Sequence, residues 1–517
     1  MDPRIRAPPS DEARRAIRWR TLKGRGSSII WCVVLLAACA SGAGVRASQA
    51  DHSDATFDPQ SDPFGWTPIQ HGKVEIGTIT VPMDYTDPSK GTFDLNIARH
   101  LAMKPNERIG SLLINPGGPG AAGVDFALFA EQNFGQAVLD HFDIVAWDPR
   151  GTGESTPHID CTDNYDHFFA SGDITPDDPA KRQQLVDLAK EFATDCVTKN
   201  AAFYQYVGTN NSARDIDAIR AALGEAKISY LGFSYGSELG ATWATLFPST
   251  VRAAVLDGAV DPTAGQQAKA LQQDKGFEDS LSTFLTQCSA DTQCAFRNGG
   301  DAAAAFDRLM RSIDEAPLPS AGGRPAVNLA VALSGVGEAM YSDADWPRLA
   351  TALAKAQKGD GSGLLAFYDR YYVRHKDGTY DNLIEAFQVI TCMDTSERPT
   401  VQEEDAAVPL FESVAPRFDA RTVGNYFCTF FPPTHDPRIA ITGKGAGPIV
   451  VVGTTGDPAT PLDGARKMAS TLENGHLVVV VGNHHTGYLV NTCATDAVDN
   501  YLVDPAGHLP ADGLRCT

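Results

Sequence analysis

Short apolar runs that alternate with helical patterns constrain the fold of this chain more than any other feature. The runs are bounded by Gly or Pro and occupy residues 111–115, 142–147, 228–232, 253–257, 448–452 and 476–481. Such runs indicate strands buried on both faces, as in a parallel sheet covered by helices. Between them, helices are predicted over 212–223, with Asn211 or Ser212 as the cap, and over 235–247, before Pro248. The alternation predicts an α/β fold with a mostly parallel sheet flanked by helices.

A long helical stretch interrupts this strand pattern. Between about residues 262 and 443 the sequence is rich in Ala and has helical periodicity, for example over 301–313 and 347–357. We therefore expect a helical cap over 262–443, inserted into a discontinuous core domain made of residues 51–261 and 444–517.

Residues 1–50 have the composition of a signal peptide and leader. Several arginines precede an apolar run over 29–40, which opens into small residues. Two outcomes stay open: cleavage at A-C-A over 38–40, or lipid attachment to Cys39, since L-A-A-C over 36–39 resembles a bacterial lipobox. The run is shorter than the roughly 20 residues of a spanning helix. The sequence predicts a secreted or extracytoplasmic protein without a transmembrane segment.

The remainder of the chain is acidic and has an even number of cysteines. Subtracting the 9 basic and 3 acidic residues of positions 1–50 from totals of 43 and 64 leaves 34 against 61, a net charge of −27. This charge disfavours nucleic acid as a partner. Eight cysteines without a CxxC pair or a His-rich cluster favour disulfides over a metal site. Nearest-neighbour pairing predicts Cys161–Cys196, Cys288–Cys294, Cys392–Cys428 and Cys493–Cys516.

One pentad carries the strongest chemical signal. G-F-S-Y-G at residues 232–236 matches G-x-S-x-G between a predicted strand and a predicted helix. In the α/β-hydrolase fold this context holds a serine in a strained turn above the sheet. Glycines are needed at both flanks because side chains there would collide with neighbouring backbone. Ser234 is therefore predicted to be a nucleophile, with the amide of Tyr235 directed at the oxyanion.

A serine nucleophile needs a base and an orienting carboxylate, which follow it in the order acid, then histidine, in this fold. Asp457 comes after the run 448–452, and His484 and His485 come after 476–481. Asp257 also follows a strand and is the alternative acid. The residues alone leave the choice between the two histidines open.

The second oxyanion donor is expected in the loop N-P-G-G-P-G at residues 115–120, after an early strand. Glycine lets a backbone N–H approach the substrate oxygen closely, whereas Pro119 has no N–H to donate. Gly118 is the first candidate and Gly117 the second. The predicted chemistry uses neither a metal nor an organic cofactor.

Five motifs in this order resemble those of the secreted tripeptidyl aminopeptidases, which belong with the prolyl aminopeptidases among the α/β-hydrolase serine peptidases. They are N-P-G-G-P-G at 115–120, W-D-P-R-G-T-G-E-S at 147–155, G-F-S-Y-G-S-E-L-G at 232–240, G-D-P-A-T-P at 456–461 and H-T-G-Y at 485–488. The resemblance implies Ser234 as nucleophile, Asp457 as acid and His485 as base. In one departure, His484 stands where the family usually has Gly before its catalytic histidine.

The resemblance also implies a substrate. Such enzymes release di- or tripeptides from peptides with a free amino terminus, and a cap carboxylate usually meets the substrate ammonium. Asp394 is the first candidate for that carboxylate and Glu385 the second. A hydrolase of small acyl esters is the alternative function, because the same catalytic centre would serve it.

Overall fold

One mixed sheet organises the part of the chain that the computed structural model describes, residues 62–320, 322–418 and 425–517. The predicted signal peptide and Cys39 lie outside these residues. The strands follow the order β1-β2-β3-β5-β4-β6-β7-β8-β9-β10. The pairs β1–β2, β2–β3 and β3–β5 are antiparallel, and all the following pairs in this order are parallel. The strands are β1 Thr67–Ile69, β2 Val74–Pro82, β3 Thr92–His100, β4 Gly110–Asn115, β5 Phe142–Trp147, β6 Ile228–Phe233, β7 Val251–Asp257, β8 Ile449–Thr454, β9 Gly475–Val480 and β10 Leu514–Cys516.

The six predicted strands are present as β4 to β9, which confirms the α/β prediction. Every residue of β4, β5 and β8 is buried, because helices cover both faces of the sheet. The helices are α1 Asp125–Leu128, α2 Ala130–Asn133, α3 Gln136–His141, α4 Tyr165–Phe169, α5 Pro179–Lys199, α6 Thr209–Ala222, α7 Tyr235–Leu246, α8 Gln266–Ala290, α9 Ala302–Glu315, α10 Leu329–Met340, α11 Trp346–Ala356, α12 Ser362–Tyr371, α13 Leu383–Asp394, α14 Val401–Val414, α15 Leu462–Thr471 and α16 Thr492–Val503.

The predicted cap of α6 is wrong. Asn211 and Ser212 lie inside the helix, whose N-cap position is Gly208, a residue without a side chain to accept a hydrogen bond. Instead the first helical N–H, that of Thr209, donates to Asp394 Oδ1 at 2.6 Å. A carboxylate distant in sequence therefore caps this helix, and a local pattern of capping residues could not reveal it.

An inserted helical segment, made of α8 to α14, connects β7 to β8. It has its own hydrophobic core, which includes Phe284, Leu333 and Phe367. Tyr165 and Ala170, from the region of α4, belong to the same core, so part of the segment between β5 and β6 packs with the insertion. The boundaries 262 and 443 stay a prediction.

A buried ionic cluster joins the inserted segment to helix α7 of the core. Lys269 Nζ, on α8, lies 2.7 and 2.9 Å from the two carboxylate oxygens of Glu238 on α7. Arg438, between α14 and β8, pairs with the same carboxylate. Two cations therefore converge on one buried anion of the helix that begins after Ser234.

Four disulfide bonds are present, and they join Cys161–Cys196, Cys288–Cys294, Cys392–Cys428 and Cys493–Cys516. Disulfides of this number are typical of proteins from oxidising compartments. None of the helices in the described residues is both long and apolar enough to cross a membrane. Nor do the described residues group three or more His, Cys, Asp or Glu side chains as a metal site would need.

Candidate active site

Ser234 occupies a strained turn between β6 and α7. Its φ of 56° and ψ of −123° are unusual for a residue with a side chain. The turn is held by the Ser234 N–H, which donates to the carbonyl of Asp257 at 2.8 Å. A Cβ on Gly232 would lie 2.3 Å from the Gly236 carbonyl, and a Cβ on Gly236 would lie 2.8 Å from the Asn115 carbonyl. The flanking glycines are therefore required sterically, as the sequence predicted.

Asp457 and His485 form a close pair in the loops that follow β8 and β9. His485 Nδ1 lies 2.9 Å from both carboxylate oxygens of Asp457, whose side chain is fully buried. The carboxylate also accepts the N–H groups of Ala459 and Thr460 at 2.9 and 2.8 Å. These contacts fix the carboxylate, which in turn holds the Nδ1 side of the imidazole and leaves Nε2 for chemistry.

The nucleophile and the imidazole are both neighbours of the end of β7. Ser234 bonds to the Asp257 carbonyl, and a Cβ on the next residue, Gly258, would lie 3.1 Å from His485 Cε1. Among the described residues neither Ser234 Oγ nor His485 Nε2 has a hydrogen-bond partner. Catalytic hydrogen bonds of this kind often tighten only when substrate binds. The two groups are therefore placed around one strand end.

The contacts of the alternative residues differ from those of the predicted pair. Both carboxylate oxygens of Asp257 accept backbone N–H groups, from Gly487 and Tyr488, and neither bonds to a histidine. His484 Nδ1 contacts the Thr486 carbonyl at 2.6 Å and has no carboxylate partner among the described residues. The geometry therefore favours Asp457 over Asp257 and His485 over His484.

The glycine loop after β4 lies against the nucleophile. A Cβ on Gly117 would lie 3.0 Å from Ser234 Cβ and 3.2 Å from the Tyr235 nitrogen. The Gly117 N–H donates to Asn115 Oδ1 at 3.0 Å, whereas the Gly118 N–H has no partner among the described residues. These contacts favour Gly118 as the oxyanion donor beside Tyr235 and give Gly117 the role of allowing close approach.

Sequence reasoning missed two residues that contact the histidine. Thr460 Oγ1 donates to Asp457 Oδ2 at 2.9 Å and lies 3.2 Å from His485 Nδ1. It is part of the motif at 456–461, which was the available signal. Tyr341 belongs to the inserted segment; its carbonyl accepts the His485 N–H at 2.9 Å and its ring lies 5.5 Å from the imidazole, edge to face. No local pattern marks Tyr341.

The two predicted ammonium-binding carboxylates, Asp394 and Glu385, are both buried on α13. Asp394 binds the N–H and Oγ1 of Thr209, and Thr209 Oγ1 is also within 2.5 Å of the Tyr235 hydroxyl. Glu385 accepts the N–H groups of Cys161 and Thr162 at 3.2 and 3.0 Å. Burial raises the pKa of Asp394 to about 6 and the pKa of Glu385 to about 7. Their assignment to a substrate amino group stays a prediction.

Taken with the parallel sheet, this geometry makes the protein a serine hydrolase of the α/β-hydrolase fold. Comparison with known families agrees: the alpha/beta hydrolase fold matches residues 110–316, and the family described as TAP-like protein matches residues 415–516. The chain belongs to the TAP-like family of α/β-hydrolase enzymes.

Curated relatives cover most of the chain. Serine protease Hip1 of Mycobacterium tuberculosis is 33% identical over 98% of both chains. A tripeptidyl aminopeptidase of Streptomyces lividans is 31% identical over 92% of this chain and 89% of its own. Carboxylesterase B of Mycobacterium tuberculosis is 34% identical over 85% of each. The family thus includes proteins named as peptidases and as an esterase.

Proposed function

We propose that Ser234, His485 and Asp457 form a catalytic triad that transfers an acyl group to Ser234 and then to water. The observation that carries the proposal is the close contact of His485 Nδ1 with both oxygens of a buried, fully hydrogen-bonded Asp457. With the proton held at Nδ1, Nε2 accepts the proton of Ser234 Oγ as the serine attacks. The same nitrogen then protonates the leaving amine, and a water molecule releases the acyl group by the reverse sequence.

The amides of Tyr235 and Gly118 are the proposed donors to the oxyanion. Tyr235 is the first residue of α7, so its N–H has no partner within the helix. Negative charge that develops on the substrate oxygen would be met by this N–H, by that of Gly118 and by the positive end of the helix dipole.

The proposed substrate is a peptide with a free amino terminus, from which a di- or tripeptide is released. Similarity to a tripeptidyl aminopeptidase and to a serine protease over most of the chain supports this choice. The test compares Ser234→Ala with Ser237→Ala, a buried serine on the helix that follows Ser234, on chromogenic tripeptide substrates. Loss of turnover in the first variant alone, with both folded, is the expected result; full turnover in Ser234→Ala would refute the proposal.

An esterase acting on small acyl esters is the second candidate, and the similarity to Carboxylesterase B favours it. The two functions differ in their need for an amino group. A peptidase of this type should lose activity when the substrate's amino terminus is acetylated, whereas an esterase should hydrolyse both forms equally well.

Of the two candidate carboxylates, we propose Asp394 for the substrate ammonium. Through Thr209 it is connected to the Tyr235 hydroxyl, beside the nucleophile, whereas Glu385 binds the backbone next to the Cys161–Cys196 disulfide. Asp394→Asn should raise KM for tripeptide substrates with a free amino group more than for simple acetyl esters, and Glu385→Gln should not. Equal losses on both substrates would instead assign Asp394 to the helix cap alone.

We propose further that the protein is exported by its first 50 residues. The four disulfides support an oxidising destination. The intact mass of the mature protein distinguishes the two exits: an acylated Cys39 identifies a lipoprotein, and an unmodified terminus after residue 40 identifies simple cleavage.

A further inference from the structure

A buried carboxylate stands between the nucleophile and the base without a hydrogen bond to either side chain. Asp257 is the last residue of β7 and is completely buried. In the sheet register it pairs with Phe233 on β6 and with Val452 on β8. It therefore lies between the strand that leads to Ser234 and the strand that leads to Asp457.

Asp257 bonds to both catalytic loops. Its carbonyl accepts the Ser234 N–H at 2.8 Å, which holds the strained turn of the nucleophile. Its carboxylate accepts the Gly487 N–H at 2.9 and 3.0 Å and the Tyr488 N–H at 2.8 Å, in the loop that carries His485. One residue thus fixes the backbone on both sides of the reacting atoms.

The histidine loop needs such support because its backbone is strained. Thr486, directly after His485, has a φ of 68°, and Leu489 has a φ of 62°. The left-handed region is costly for a β-branched residue such as threonine, so the loop keeps this conformation only where its surroundings impose it. The two N–H groups that Asp257 binds lie between these two residues.

A packing role alone does not account for a carboxylate at this position. The residues before it on β7, Val255 and Leu256, are apolar and equally buried. Burial raises the pKa of Asp257 to about 6, which shows how unfavourable its charge is there. A group that is costly to bury is kept in a protein core when its hydrogen bonds matter.

We propose that Asp257 is a positioning residue of the reaction, which aligns the Ser234 turn with the His485 loop through its carbonyl and its carboxylate. The proposal rests on the catalytic triad proposed above. Substitution of Asp257 should therefore lower kcat rather than raise KM, because the contacts of Asp257 are to the enzyme's own backbone.

The test compares Asp257→Ala and Asp257→Ser with Asp257→Asn. Asparagine keeps an oxygen that both N–H groups can share, whereas alanine and serine release the loop. We expect kcat to fall about 10²-fold in Ala and Ser with KM nearly unchanged, since a displacement of about 1 Å has that effect. Asn should retain most of kcat. The serine variant serves where the alanine variant does not fold.

Asp143 provides the matched control. It is a buried carboxylate on β5 of the same sheet and accepts the Ala102 N–H at 2.9 Å, as Asp257 accepts the N–H groups of the histidine loop. Its variants should lower thermal stability without lowering kcat of the folded fraction. Unchanged kcat in folded Asp257→Ala or Asp257→Ser, or equal kcat losses at the two positions, would overturn the proposal.

The choice of a substrate that is not a peptide, and a separate count of active sites, keep this test independent of the proposed peptide substrate. Turnover is measured on p-nitrophenyl acetate, and active sites are counted by labelling with a fluorophosphonate, so the result does not depend on which peptide is cleaved. If the fluorophosphonate labelled Ser234→Ala as fully as the parent enzyme, Ser234 would not be the nucleophile and the proposed triad would be wrong. That outcome does not depend on the Asp257 variants, so failure of the triad can be distinguished from failure of the Asp257 proposal.

Discussion

Replacing Asp457 by asparagine tests the proposed acid most directly, because the surroundings of its two oxygens differ. Oδ1 accepts two backbone N–H groups, from Ala459 and Thr460, whereas Oδ2 accepts one backbone N–H, from Thr486 at 3.3 Å, and the Thr460 hydroxyl, which can also act as an acceptor. In asparagine the oxygen should stay at the Oδ1 position, where two donors converge. The amide nitrogen then takes the Oδ2 position, 2.9 Å from His485 Nδ1, and donates to it.

This exchange reverses the tautomer of the imidazole. With Nδ1 accepting a hydrogen bond, the ring proton moves to Nε2, which can no longer take the proton of Ser234. Exchange of aspartate for asparagine in a serine triad lowers kcat about 10⁴-fold, equivalent to about 5 kcal/mol of transition-state stabilisation. The cost to folding should be smaller, about 1–3 kcal/mol, because the Thr486 N–H loses its acceptor, whereas the Thr460 hydroxyl can rotate and accept a hydrogen bond from the new amide.

The assay measures kcat and KM on a tripeptide nitroanilide, with the melting temperature measured on the same preparation. Asp463→Asn is the control, since that carboxylate is 90% exposed at the start of α15. We expect KM of Asp457→Asn to stay near that of the parent. Retention of more than about a tenth of kcat would refute the reasoning, and it would point to Asp257 as the acid.

Two further variants test the buried charges. Glu238→Ala leaves Lys269 and Arg438 without their shared anion, and we expect unfolding to become easier by about 3–5 kcal/mol in chemical denaturation; a loss below about 1 kcal/mol would contradict the buried cluster. Asp499→Asn should stabilise the protein above pH 6, because burial raises the pKa of Asp499 to about 6 while its contact with the Tyr488 hydroxyl is kept. The native state holds that proton more tightly than the unfolded chain, so the parent loses stability as pH rises from about 4 to 6, by up to about 3 kcal/mol. The difference between variant and parent should vanish below pH 4, and a difference independent of pH would contradict this account.

The sheet could be predicted where the strands are buried on both faces and not where they are only half buried. The strands β4 and β8 are buried at every position and mostly apolar, so composition reveals them. In β3, by contrast, buried residues alternate with exposed ones through most of the strand, and a search for continuous apolar runs passes over it. A search for alternation would have found β3, whereas β10, with three residues, is too short for either pattern.

The residues of the candidate site also fall into two groups: those that a local sequence pattern marks, and those whose contacts join distant parts of the chain. Ser234 is marked by its own pentad, and Asp457 and His485 are marked by strands that end just before them. The Asp394 cap on Thr209 and the Tyr341 carbonyl on His485 join positions far apart in sequence, 185 residues in the first case. Their partners are set by how the inserted segment packs, so no local pattern could supply them.

The inserted segment, which carries the proposed ammonium-binding residue Asp394, also contacts the histidine loop. Ser342 pairs with His484 in an antiparallel bridge, the Asp343 N–H donates to the Asn483 carbonyl at 3.1 Å, and the Tyr341 carbonyl accepts the His485 N–H. The segment that carries the proposed ammonium-binding residue Asp394 therefore also holds the backbone of the proposed base. An exchange of the whole insertion for that of a relative should lower kcat unless the replacement restores this bridge, because the histidine loop would lose one side of its support. Single substitutions on α13, where the proposed ammonium-binding residue Asp394 lies, should leave this bridge intact, whereas a grafted cap would replace it.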